Sequence, residues 1–278
     1  MSKGQSRPQA FFLPDGRGGQ RFALWYPTVG NPPRALILYV HPFADEMNKT
    51  RRMAALQARD LAAAGCAVLQ IDLAGCGDSS GDFGDASWSD WVDDIVRACD
   101  WMRTQASAPL WLWGLRSGCL LCVAAAPLIG RECSFLFWQP VISGKTALQQ
   151  FLRLRLAGNL LVGTEKGAMG AIRAAISRGE TIDVAGYRLG AALAVGLDGA
   201  TLAPPGGSRR MEWLELSSRS DSTLSSAAVA QVAQWAQAGH VARAHLVEGP
   251  AFWQTTEIEE APELLEATLA ALDLETLR

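Results

Sequence analysis

What the sequence has little of narrows its role before any motif is considered. The 278 residues carry 25 Lys and Arg against 28 Asp and Glu, a formal net charge of −3. So small an imbalance sets up no general field to attract nucleic acid or acidic lipid. Every apolar stretch is broken by Arg, Glu or Gly well short of the ~20 residues that span a bilayer. The polar opening Met1–Gln9, with Lys3 and Arg7, reaches the turn at Pro14-Asp15-Gly16 without an apolar run of signal-peptide length. A cytoplasmic chain with no transmembrane segment is therefore expected. Internal repeats and low-complexity tracts are absent. Histidine is scarce, with His41, His240 and His245 as the whole set, so few general bases are on offer.

Six cysteines stand at 66, 76, 99, 119, 122 and 133, mostly inside apolar strand or helix patterns, where a reduced thiol packs as a small hydrophobe. Cys119 and Cys122 form a Cys-x-x-Cys, but on an apolar helix with no second pair and no histidine nearby. That spacing reads as packing rather than as a metal or redox site, and no metal or cofactor is expected.

What is present is an alternation of apolar strands and amphipathic helices, with 49% hydrophobic and 19% charged residues. Two short strands, Ala10–Leu13 and Arg21–Tyr26, flank a Gly-rich turn as an antiparallel edge. The runs Ala35–Val40, Cys66–Ile71, Leu110–Leu115 and Ser134–Trp138 are almost continuously apolar, as strands covered on both faces must be. Helical patterns over Lys49–Ala64 and Ser87–Arg103 separate them, and the right-handed crossover rule makes such units parallel. From Gly144 to Ser208 the alternation stops, with helical segments over Ala147–Arg155, Lys166–Arg178 and Gly186–Gly196. This stretch, 144–208, reads as a helical lid inserted into a core made of 1–143 and 209–278. The breaker cluster Pro204-Pro-Gly-Gly207 returns the chain to Met211–Leu216, a helix over Ala227–Ala238, a strand over Ala242–Val247 and a closing helix, Pro262–Leu272.

The segment Leu110–Val123 is a strand, a glycine-flanked turn and a helix. In a Gly-x-Ser-x-Gly turn of this kind the middle residue is a serine nucleophile. Here Gly114 and Gly118 bracket Leu115-Arg116-Ser117, so the middle residue is Arg116. Together with His41-Pro42 after the third strand and Asp72-x-x-Gly75-x-Gly77-x-Ser79 after the fourth, the layout resembles the α/β-hydrolase superfamily over nearly the whole chain. More narrowly, the strings His41–Met53, Ile71–Gly84 and Trp113–Arg116 are similar to the second hydrolase-like family accompanying exosortase A. The resemblance implies an α/β fold: a mostly parallel eight-stranded sheet flanked by helices, with a helical lid after the sixth strand. It also implies a place beside extracellular polysaccharide synthesis and the sorting of proteins with a short C-terminal signal, whose components are then candidate partners.

Ser-His-acid catalysis requires a hydroxyl at the elbow, an imidazole to take its proton and a carboxylate to orient that imidazole. The elbow offers a permanently charged guanidinium instead. After the last strand, where the superfamily places its histidine, stand Phe252 and Trp253. Asp221, in the loop after the penultimate strand, matches the acid position, where a turn or N-cap role is the alternative. Substitute chemistry would draw on Ser117, His41 and Cys76. Ser117 reads as a helix-start hydrogen-bonding residue, His41 as a loop-packing histidine, and Cys76 with Ser79 as neighbours of His41 on the adjoining loop.

Arg116 also adds something. A helix N-terminus favours anions, and a guanidinium there supplies a charge and a bidentate fork. The expected ligand is a small acyl or anionic molecule, its carboxylate, phosphate or sulfate against Arg116. Phe43, His41, Leu115, Ser117, Ser79 and Trp253 would surround it, and Arg51 and Arg52 are further candidates. The competing reading pairs Arg116 internally with Glu46 or Asp72. Two function classes stay open. One is a ligand-binding pseudoenzyme. The other is a hydrolase or acyltransferase on an ester or acyl substrate with a non-standard nucleophile.

Overall fold

The computed structural model describes residues 7–28, 32–157 and 165–273. It opens with β1 (Gln9–Pro14) and β2 (Gln20–Tyr26), paired antiparallel with Ala10 opposite Leu24 and Phe12 opposite Phe22. Then come β3 (Leu36–Val40), α1 (Asp45–Ala63), β4 (Ala67–Ile71), α2 (Trp88–Gln105), β5 (Leu110–Leu115), α3 (Gly118–Ala125) and β6 (Cys133–Trp138). After β6 the chain leaves the sheet for α4 (Gly144–Ala157), α5 (Glu165–Ser177), the hairpin β7 (Ile182–Val184) and β8 (Tyr187–Leu189), and α6 (Ala191–Gly199). It returns as β9 (Arg210–Ser217), α7 (Ser226–Gln237), β10 (Val241–Glu248) and α8 (Pro262–Leu272).

Eight strands form one sheet in the order β1-β2-β4-β3-β5-β6-β9-β10. From β4 to β10 every pairing is parallel. This is the eight-stranded, mostly parallel sheet that the alternation predicts. Side chains of successive residues point to opposite faces of a strand. In β3 and β5 that sends Leu36, Leu38, Val40, Leu110 and Leu112 to the side of α2 and α3. Ile37, Tyr39, Trp111, Trp113 and Leu115 go to the side of α1 and α8. On the second face Trp113 lies between Tyr39 and Trp138, with ring centroids 4.5 and 4.7 Å away. Aromatic pairs of this kind add about 0.5–1.5 kcal/mol each beyond the area they bury.

The insertion after β6 packs into the first core, to which it contributes Leu148, Leu152, Ile172, Leu193 and Leu197. One element differs from the sequence reading. Gly186–Leu189 is not the start of a helix but half of a hairpin, because Ala185 and Gly186 both take positive φ, 47° and 87°, and close a two-residue turn. The helix begins only at Ala191. Among the described residues no helix is long and apolar enough to cross a membrane. No cluster of three or more His, Cys, Asp or Glu among them is arranged to hold a metal ion.

The lead hairpin is tied down by buried charge. Arg21 Nε lies 2.7 Å from Asp94 Oδ2 on α2, and its Nη1 lies 3.2 Å from Asp15 Oδ2. Asp94 also accepts from the Ala74 N–H at 2.8 Å, which holds the loop after β4 against the same helix.

Candidate functional site

The sharp turn between β5 and α3 is possible because two positions have no side chain. A Cβ on Gly114 would lie 2.7 Å from Cys119 Cα, and one on Gly118 would lie 2.3 Å from the Val40 carbonyl oxygen. Arg116 stands at the apex with φ 54°, a left-handed conformation that costs a non-glycine residue roughly 1–2 kcal/mol. Its backbone is fixed in place. The Arg116 N–H donates to Trp138 O at 3.0 Å, and Arg116 O accepts from Cys119 N at 3.2 Å and from Val141 N at 3.3 Å.

The apex opens into a cleft of about 620 Å³ at the carboxyl ends of the strands, where open α/β sheets bind ligands. The volume falls within the ~300–1,000 Å³ of small-molecule sites. Phe43, Ala44, Asp45, Glu46 and Lys49 line it from the start of α1, and Arg116 and Ser117 from the elbow. Gln139 and Val141 follow β6, Trp253 and Gln254 follow β10, and α4 closes the cleft with Ala147, Gln150, Phe151 and Leu154. The Arg116 side chain is only 14% exposed. Its Nε lies 3.4 Å from Glu46 Oε1, and its guanidinium carbon lies 5.3 Å from the Trp253 ring centroid. Burial raises the Glu46 carboxyl above its ordinary pKa, against the opposing pull of Arg116. Lys49 is held by Asp45 at 3.1 Å.

Backbone strain gathers here as well. Among the described residues, non-glycine positive φ occurs at Ala44, Arg116, Gln139, Ala185 and Asp273. Ala185 is in the hairpin turn and Asp273 caps α8; the other three all line the cleft. Strain of this kind persists where surrounding structure enforces it, typically at ligand and catalytic sites. At Gln139 the enforcement is visible. Its N–H donates to Leu214 O at 2.8 Å, and its Oε1 accepts from the Leu216 N–H at 2.7 Å.

A family described as serine aminopeptidase, S33, matches residues 31–165, a little under half of the chain. No curated protein matches by sequence. Among solved structures, Est1E from Butyrivibrio proteoclasticus, with ferulic acid bound, superimposes with a TM-score of 0.64 at 16% identity, over 95% of this chain and 99% of that one. The α/β hydrolase GrgF from a Penicillium species gives 0.58 at 16% identity over 96% and 98% of the two chains. Mouse α/β hydrolase domain-containing protein 10 gives 0.54 at 12% identity over 96% and 98%.

This is an α/β-hydrolase fold.

In an α/β-hydrolase the oxyanion hole is built from the N–H after the nucleophile and an N–H from the loop after β3. In this α/β-hydrolase-like chain the loop N–H of Phe43 donates to Ser117 Oγ at 2.9 Å. This corrects the sequence reading of Ser117, whose side chain makes no cap bond to α3. His41 also departs from the ligand-site expectation. It does not line the cleft but a separate cavity of about 180 Å³ beside Tyr39 and Arg51. Its Nε2 accepts from the Leu73 N–H at 3.2 Å, which fixes the tautomer in which Nδ1 donates to Pro42 O at 2.8 Å. Burial lowers the ring's pKa. With both nitrogens engaged and the ring neutral, His41 ties two loops together and has no free nitrogen to act as a base.

The remaining candidates separate clearly. Cys76 is buried with its thiol pushed up to about 12, so it is not the thiolate that a Cys-His pair requires. Ser79 Oγ accepts from the Phe22 N–H at 2.9 Å and donates to Asp72 O, so it secures the loop rather than a ligand. Leu115 is fully buried in the core around Trp113. Asp221 stands on an exposed loop, its carboxylate bonded by Arg219 at 3.1 Å, which lowers its pKa. Phe252 is buried beside Trp138, whereas Trp253 reaches the cleft. Arg51 is paired with Asp72 and Arg52 with Glu260, away from Arg116. His240 bonds Pro205 O and His245 bonds Glu212, so no histidine lines the cleft. The structure thus gathers Arg116, Ser117, Phe43 and Trp253 from the sequence candidates. To these it adds Lys49, Gln139, Gln150, Phe151, Leu154 and Gln254, which sequence reasoning missed. Only α4 carried a signal, the helical spacing of Ala147, Phe151 and Leu154.

Proposed function

We propose that the chain binds a ligand carrying an anionic group in the α/β-hydrolase cleft and does not hydrolyse it through a Ser-His-acid triad. The observation that carries this reading is Arg116, a buried guanidinium at the apex where the fold places its nucleophile, seated between Glu46 and Trp253. A guanidinium stays protonated and cannot attack a carbonyl. Among the described residues lining the cleft, the one hydroxyl, Ser117 Oγ, is engaged by Phe43 N–H, and no histidine stands with it. Loss of a single triad member typically costs ~10⁴-fold or more in rate, and here both the serine and histidine positions carry other groups. The resemblance of His41–Met53, Ile71–Gly84 and Trp113–Arg116 to the exosortase A-associated family favours a role beside polysaccharide assembly, as a binding subunit.

The test has two arms. Thermal unfolding is followed with and without glucuronate and inorganic phosphate, for the native chain and for Arg116→Ala. Stabilisation that disappears in the variant is expected; stabilisation of equal size in both overturns the anion site. Turnover of a p-nitrophenyl ester at the buffer rate is expected. Saturable turnover would support the other reading, a hydrolase or acyltransferase with a non-standard nucleophile.

A further inference from the structure

The cleft has two unlike walls. One is the ion pair of Arg116 and Glu46, flanked by Trp253. The other is α4, where Ala147, Phe151 and Leu154 line the cleft at i, i+4 and i+7 and so form one apolar stripe. Phe151 is fixed by an edge contact with Phe43, ring centroids 5.0 Å apart. Leu154 is 52% exposed, a large aliphatic side chain at the open side of the cleft.

We propose that this cleft takes a monoanionic amphiphile, a carboxylic acid with an apolar body, whose carboxylate replaces Glu46 on the Arg116 guanidinium while the body lies along the α4 stripe. The proposal rests on the reading of Arg116 as the anion site. The group Arg116 holds at rest is already a carboxylate, so a ligand carboxylate reproduces the resting contact, and the guanidinium fork suits that shape. A single charge fits the local balance once the displaced Glu46 is protonated. Arg116 and Lys49 face Asp45 and Glu46 and sum to zero, and Lys49 is held by Asp45. Among the described residues of the lining, a dianion would meet two carboxylates and no cation beyond Arg116 and Lys49.

The exchange leaves Glu46 beside Asp45 without its partner. The charged groups facing it are Arg116 from the elbow and Asp45 and Lys49 from its own helix. Burial already favours its protonated form, and losing the Arg116 partner shifts the displaced carboxylate further toward taking a proton from solvent as the ligand binds. Affinity then rises as pH falls.

Isothermal titration of the full chain with sodium decanoate, sodium acetate, inorganic phosphate and glucuronate tests this. Decanoate is expected to bind at least 100-fold more tightly than acetate, and more tightly at pH 6 than at pH 8. Arg116→Gln should weaken decanoate at least tenfold, and Arg116→Lys, which keeps the charge and loses the fork, by less. Leu154→Ser, a neutral change at an exposed position, should weaken decanoate at least fivefold. Glu46→Gln should tighten decanoate at pH 8 and flatten the pH dependence. Equal binding of acetate and decanoate, or a preference for phosphate or glucuronate, would overturn the amphiphile while leaving the anion site standing. Decanoate binding undiminished in both Arg116 variants would overturn the anion site itself, and failure of all four probes would overturn both.

Discussion

Replacing Ser117 by alanine should move stability and affinity in opposite directions. Ser117 is buried, and its hydroxyl is the acceptor for Phe43 N–H at 2.9 Å. Its removal leaves that N–H without a partner, a cost of about 1–3 kcal/mol for a buried donor. Both residues line the cleft, so water can reach the site, and the lower end, about 1 kcal/mol, applies. Urea unfolding should show that loss as a lower midpoint at unchanged slope. Phe43 lines the same cleft as Arg116, so the freed N–H offers a ligand carboxylate a charge-assisted bond. A gain of about 1 kcal/mol would tighten decanoate roughly fivefold, since ~1.4 kcal/mol is a factor of ten. If Ser117→Ala instead weakened the anion, the hydroxyl itself would be the ligand's partner and the hydrogen-bond argument would fail.

Other consequences follow from the same structure. Asp94→Ala leaves Arg21 with Asp15 and the Gln20 carbonyl and leaves the Ala74 N–H unpaired. A loss of about 3–5 kcal/mol is expected by chemical denaturation, and a loss below about 1 kcal/mol would refute the role of this pair in fixing the lead hairpin. Glu46 titrates higher in the folded chain than its ordinary value. Its favourable contribution is therefore complete at acid pH and is lost as pH rises through the raised pKa. The stability of Glu46→Gln relative to the native chain should accordingly grow with pH across that window, and a difference independent of pH would contradict it. Cys76, buried with its thiol raised to about 12, should resist iodoacetamide at pH 8 until the protein is unfolded. Mass spectrometry after alkylation reads this directly, and prompt native labelling of Cys76 would show that its site opens.

The sheet was legible because strands covered on both faces must be apolar at every position, which separates Leu36–Val40 and Leu110–Leu115 from their helical neighbours. The elbow was legible through Gly114 and Gly118, whose backbones touch Cys119 and Val40. The hairpin at 182–189 was not, since strands of three residues are too short to show alternation and one turn position is an alanine. The site was half visible. Arg116 and Trp253 stand at positions that the motif order picks out, and the competing reading, an internal pair of Arg116 with Glu46 or Asp72, is met by Glu46 at 3.4 Å. The α4 wall was hidden because its approach to the elbow is purely tertiary, and nothing in the alanine at 44 or the glutamine at 139 signals a positive φ. The loop residues His41, Cys76 and Ser79 drew attention by chemical type. Their hydrogen bonds and burial, which sequence does not display, assign them to loop packing.

The central claim is that Arg116 has taken the nucleophile's place and that no other residue has assumed its role. Intact-mass spectrometry after incubation with a fluorophosphonate tests it most directly, because that reagent phosphonylates an activated serine stoichiometrically. The account predicts an unchanged mass for the native chain. A single phosphonyl adduct, on Ser117 or on any other residue, would contradict it.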